Sequence, residues 1–184
     1  KGVLFATNGA DLTVKDTKGT GKLIATESAY DEATETSGYA MTVWANGADT
    51  KVTLTGGSHS QTVRSNDSDG YNMVYASNGA QIAITGGTYT SVVPKWTLNC
   101  QDKSASRITV SGGKFYQCDL SQDATAKPGY PEVVLAEGYT AVQLADDYYL
   151  VTPFAGGSGT EADPYQIKTC AQALAMNDYP GYYK

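Results

Sequence analysis

Few residues in this chain are of a type that does chemistry, and their spacing decides how far each can go. His59 is the single histidine among 184 residues. No Ser or Cys nucleophile stands beside it in a recognisable context, and no second ligand lies at metal spacing. A packed side chain is therefore expected rather than a general base. The loop SNDSDG places Ser65, Asp67 and Asp69 at alternating positions, as a calcium loop begins. The twelfth position of such a loop is Ala76, where a bidentate carboxylate belongs, and Ca²⁺ asks for six to eight oxygens. Ser65, Asp67 and Asp69 are thus a weak metal candidate, read first as a solvated turn.

Glycoside chemistry needs two carboxylates facing each other at about 5–9 Å. Asp31, Glu32 and Glu35 share one long loop, and Asp67 and Asp69 the next, so Glu35 with Asp67 is the pair that neighbouring loops would bring together. Both lie in polar sequence without the apolar surroundings that tune a general acid. No Lys/Arg cluster accompanies them, as a lyase would require. No catalytic residue and no cofactor is expected. The aromatic residues remain: Tyr30, Tyr39, Tyr71, Tyr75, Trp44 and Trp96 are plentiful for so polar a chain. Exposed rings stack on sugar faces and anchor interfaces, while the same rings serve equally to cap a core or pack between loops.

Cys100, Cys118 and Cys170 show no CxxC spacing, and with one histidine no zinc site is expected. They are expected as small buried hydrophobes. A Cys100–Cys118 bond would need neighbouring repeats to bring the two Cβ atoms together. The formal net charge is −6, with no basic run, which argues against a nucleic-acid partner. No stretch approaches the roughly 20 apolar residues that cross a bilayer, so direct membrane insertion is not expected. Low charge and abundant Gly, Thr, Ser and Tyr suit a β-rich extracellular protein. The chain shows no signal peptide and no initiator Met, and is expected to be a mature or internal piece of a longer one.

What would position these side chains is a repeat. VTLTGGSHSQ from Val52, IAITGGTYTS from Ile82 and ITVSGGKFYQ from Ile108 share one pattern. Their glycine pairs begin at Gly56, Gly86 and Gly112, so they lie 30 and then 26 residues apart. TNGADLTV, ANGADTKVTL and SNGAQIAI add an Asn-Gly corner ahead of the alternation; both residues tolerate positive φ. Each unit predicts three short strands, the first represented by VLFA, TVWA, MVYA and WTLN. The second places Leu12/Val14, Val52/Leu54, Ile82/Ile84 and Ile108/Val110 on one face. The third begins at the ladder positions His59, Tyr89 and Phe115, with the glycine pair as the corner between second and third. No unit can bury its apolar face alone, so about four must stack.

These NGA-x-hydrophobic-Thr-hydrophobic-x-GG-x-aromatic repeats resemble the right-handed parallel β-helix repeats of large secreted surface proteins of gut bacteria, and related repeats of phage appendages. The resemblance covers roughly residues 1–120. It implies an all-β, right-handed parallel β-helix (solenoid) over 1–127. It also implies a non-catalytic structural or adhesive module, extracellular, on a bacterial cell surface or a phage virion. Surface glycans or neighbouring structural proteins are the implied partners; a carbohydrate-active enzyme is the alternative. Departures are the missing Asn-Gly at 101–106, an insertion at 49–50 and His59 in the aromatic slot. Residues 128–153 resemble a closing segment, with Tyr139–Leu144 and Tyr148–Val151 predicted as a capping hairpin. In 154–184, a Gly-rich linker at Phe154–Thr160 leads to a strand at Pro164–Lys168. A Thr169-capped helix follows over Cys170–Met176. GSGTEADPYQI resembles the opening of a further repeat domain.

Overall fold

The computed structural model describes residues 2–26, 40–62, 72–122 and 133–184. The chain is mostly β, with parallel and mixed sheets. The first repeat supplies β1 (Gly2–Ala6), β2 (Asp11–Val14) and β3 (Lys22–Ala25). The second supplies β4 (Met41–Asn46), β5 (Lys51–Leu54) and β6 (Ser58–Gln61). The third gives β7 (Val74–Ser77) and the long β8 (Gln81–Ser91); the fourth gives β9 (Leu98–Cys100) and the long β10 (Arg107–Tyr116).

Corresponding strands of successive repeats pair in parallel. One sheet has the order β1-β4-β7-β9. The other runs β2-β5-β8-β10, with β3 and β6 joining it against the second half of β8. The register puts like on like. Leu12, Val52, Ile82 and Ile108 form one column, and Val14, Leu54, Ile84 and Val110 the next. Across the first sheet, Leu4, Val43, Val74 and Leu98 align, beside Ala6, Ala45, Ala76 and Cys100. These columns face a single core. A slip of one residue would turn every apolar side chain outward, which is why the alternation fixes the register so firmly.

The glycine pairs act differently from the predicted corner. In the second repeat the pair separates β5 from β6, but β8 and β10 run straight through theirs. The partner register shifts there, between Val110 and Gly112 and again between Gly112 and Lys114, as in a β-bulge. The second glycine of each pair takes φ of +90°, +102° and +106° at Gly57, Gly87 and Gly113. A bulge redirects the strand while its hydrogen bonds continue, so the ladder need not break.

After the fourth repeat, β11 (Val133–Leu135) extends both aliphatic columns, Val133 beside Ile108 and Leu135 beside Val110. Then β12 (Thr140–Gln143) and β13 (Tyr148–Thr152) form the antiparallel hairpin, and β13 lies antiparallel along Gly113–Tyr116 of β10. The predicted strand at Pro164–Lys168 is reduced to a single bridge, Tyr165 to Tyr183. The helix α1 (Cys170–Ala175) carries a full capping box between Thr169 and Gln172. None of its residues is buried, and Leu174 is 74 % exposed. The Gly-rich run 154–160 folds back on 163–166: Ala155 N–H donates to Gln166 O and Ser158 N–H to Asp163 O. Phe154 is buried there among Tyr165, Tyr179 and Tyr183.

Candidate functional site

Alternation decides what the first sheet shows to solvent. With Leu4, Val43, Val74 and Leu98 inward, the intervening Phe5, Trp44, Tyr75 and Asn99 fall in one outward row, in register across β1, β4, β7 and β9. Phe5 is 50 % exposed, and Val3 beside it on the same face 51 %. The rings of Phe5 and Trp44 meet at 4.7 Å, tilted 44°. Trp44 is half-buried and its orientation is fixed: Nε1–H donates to Ser77 Oγ at 2.9 Å.

A polar row runs alongside. Asn46 pairs with Ser77 in register, and Gln101, just past the end of β9, donates its N–H to Ala76 O. Asn46 Oδ1 accepts from Ser77 Oγ at 2.8 Å and from Asn78 Nδ2 at 2.7 Å. Gln101 Oε1 accepts from the Asn78 N–H at 2.8 Å. The Asn-Gly corner, with Asn78 at φ +52°, is what carries the amide into this row. Aromatic faces thus lie beside fixed amides and hydroxyls, an arrangement that can hold a ligand with one apolar face and hydroxyls at its edge.

Of the expected contact residues, Trp44 and Tyr75 lie in this row. Trp96 is placed elsewhere, half-buried in a short 3-10 turn, Pro94–Trp96, with Lys95 Nζ 5.2 Å from its ring centre. Tyr30, Tyr39 and Tyr71 lie outside the described residues, as do Ser65, Asp67 and Asp69 and the pair Glu35 and Asp67. Among the described residues no group of three or more His, Cys, Asp or Glu is placed to hold a metal ion. Phe5 was missed by the reading of the sequence. Its signal was in VLFA, where strict alternation puts the second and fourth residues inward and the phenylalanine out.

His59 lies in the second sheet, buried in a column with Leu23, Tyr89 and Phe115. Its ring stacks on Tyr89 at 4.7 Å and 6°, and Tyr89 stacks on Phe115 at 4.8 Å and 8°. His59 Nε2 lies 3.0 Å from Gly56 O, as Tyr89 Oη lies 2.9 Å from Gly86 O. The imidazole therefore occupies the tyrosine's place and makes the tyrosine's bond. Burial holds its pKa below the ordinary value, with the Gly56 carbonyl opposing. The neutral ring donates from Nε2, and Nδ1 is buried without a hydrogen-bond partner among the described residues.

Where the first repeat has KDTKGTG in place of a glycine pair, a cleft of about 210 Å³ opens beside this ring. It is lined by Val14, Asp16, Gly21, Leu23, Gly57 and His59, among others. Asp16 is committed to holding the loop: its carboxylate accepts from the N–H groups of Gly21, Lys18 and Thr20. These bonds, Gly21's first, keep the acid ionised well below the usual range. The carboxylate is turned to its own loop and the imidazole to Gly56, so these two groups do not form an acid–base pair.

No disulfide joins the three cysteines: Cys100 and Cys118 are buried and Cys170 is exposed. Cys100 continues the alanine column of the first sheet, and burial pushes Cys118 up to about 12, far from reactivity. Compared with known proteins, the chain matches no family model, no curated protein and no solved structure.

Proposed function

We propose that the chain is a right-handed parallel β-helix of about four coils, closed at one end by the β12–β13 hairpin. In this reading it serves as a non-catalytic structural or adhesive module. It would stand outside the cell, on a bacterial surface or a phage virion, spacing other regions and contacting surface glycans or neighbouring structural proteins. The observation that carries the reading is the register of equivalent residues. Val52 on Ile82 on Ile108, and His59 on Tyr89 on Phe115, are the columns a wound chain needs in order to stack each turn on the last. Side chains that hold corners, as Asp16 and Gln101 do, fit a scaffold.

The decisive contrast is with a carbohydrate-active enzyme. Incubation with soluble plant, host and capsular polysaccharides is expected to release neither reducing ends nor unsaturated uronates. Product that disappears in Glu35→Gln or Asp67→Asn would overturn the scaffold reading.

A further inference from the structure

We infer that the outward row Phe5–Trp44–Tyr75 and the amide row beside it form a binding strip for neutral pyranose oligosaccharides. The inference rests on the proposed adhesive reading and gives it a location and a ligand class. Three observations carry it. The rings come one per strand, in register, so they advance by about 4.8 Å from strand to strand along a single line. Three rings at that spacing span about 10 Å from first to last, a footprint well short of the roughly 800 Å² per partner of a stable protein interface and suited to a few sugar rings. The central ring is held in place: Trp44 is tied through Nε1 to Ser77 and braced by Phe5, so little conformational freedom is lost on binding.

The third observation is the polar edge. Asn46, Ser77, Asn78 and Gln101 form a connected set of amides and a hydroxyl along one side of the rings. Asn46 and Gln101 are half-exposed and Asn78 exposed. A pyranose presents C–H groups on its faces and hydroxyls at its rim. Its face would lie on Phe5 and Trp44, and its hydroxyls would reach the amides. The overall charge of −6 disfavours uronate or sulfated chains, and the strip's own residues are uncharged, which points to neutral chains.

The test uses the full chain labelled with ¹⁵N, titrated with cellohexaose, xylohexaose and mannohexaose to millimolar concentration. The two tryptophan indole N–H signals are assigned with Trp44→Phe. At least one sugar is expected to move the Trp44 signal along a saturable curve while the Trp96 signal stays in place. Followed in the variants by backbone amide shifts, binding should weaken about tenfold in Phe5→Ala and vanish in Trp44→Ala, with both variants keeping the amide spectrum of the folded chain. Silence with all three sugars overturns the inference, as does binding that survives both substitutions. A Trp44 signal that shifts on concentrating the protein alone marks the strip as a contact between copies, and also overturns it. Sugars that bind at Trp44 and are shortened during the titration would leave the strip standing and remove the non-catalytic reading instead.

Discussion

At the scale of single residues, His59 shows how a ladder slot tolerates polarity only under conditions. Its pKa in the folded chain lies below the ordinary 6.5 because burial disfavours the imidazolium. Between those two values the unfolded chain binds a proton that the folded chain refuses. The contribution of neutral His59 is therefore complete above pH 6.5 and is lost as pH falls through that window. Asp16, whose pKa is lowered from 3.8, adds its own loss only at more acid pH, so the two are separable. Melting curves across pH 7 to 5 should show a fall for the native chain and a shallower one for His59→Phe; parallel curves would count against a buried neutral ring. Tyr89→Phe should cost about 1 kcal/mol through the lost Gly86 bond, whereas Tyr89→Ala should cost about 3–5 kcal/mol by opening the stack. The thiols give a third check. A thiol-reactive chromophore should titrate Cys170 alone in the folded protein and all three cysteines in denaturant.

At the scale of the strand, the glycine pair explains both what the sequence disclosed and what it withheld. A Cβ on Gly86 would stand 2.7 Å from Thr55 O, a backbone atom of the preceding repeat that cannot move aside. Gly86→Ala should therefore destabilise by well over the roughly 0.5 kcal/mol of an ordinary surface substitution, measurable by denaturant unfolding. Gly138→Ala makes a useful contrast: nothing lies within 4 Å, and only its φ of +81° is strained. The double glycine announced a tight approach, but not whether strands would end or bend there, because bulge and corner ask for the same absence of side chain. The inward columns from Leu12 to Val110 were legible because period-two alternation leaves one consistent face. The stretch Pro164–Lys168 was legible as extended chain but not in its pairing: one bridge forms, Tyr165 to Tyr183, while Ile167 N–H donates to Lys184 O and Gln166 N–H to Gly156 O, so its partners lie on both sides without making a longer ladder. As for the candidate strip, Trp44 was legible as an exposed-type aromatic. Phe5 was not, since a phenylalanine beside Leu4 reads equally as core until the facing strand fixes which side is in.

At the scale of the molecule, the repeats lend stability to their neighbours. Val52 meets Ile82 from 30 residues away and Ile82 meets Ile108 from 26, so each column is a set of separate loop closures that only the stack rewards. Ile84→Asp, in the middle of its column, should lower the melting temperature of the whole array by placing an unpaired charge in the core. An unchanged melting temperature would argue for independent units. Truncation after residue 132 removes β11 and the hairpin that covers β10. The remaining strands should keep their circular dichroism, while light scattering rises with concentration as the bared edge of β10 recruits other chains. A truncated chain that stays monomeric would show that this edge is guarded by something else. The order of strands in the first sheet carries a mechanical consequence as well. β1 stands at one edge, β9 at the other, and the chain crosses from one to the other a strand at a time. A pull that draws β1 away from β9 is directed across the strands, so every pair carries the same load and the weakest parts first. Under tension the module should yield in successive steps of one repeat each, lengthening like a ratcheted tether rather than breaking like a bolt.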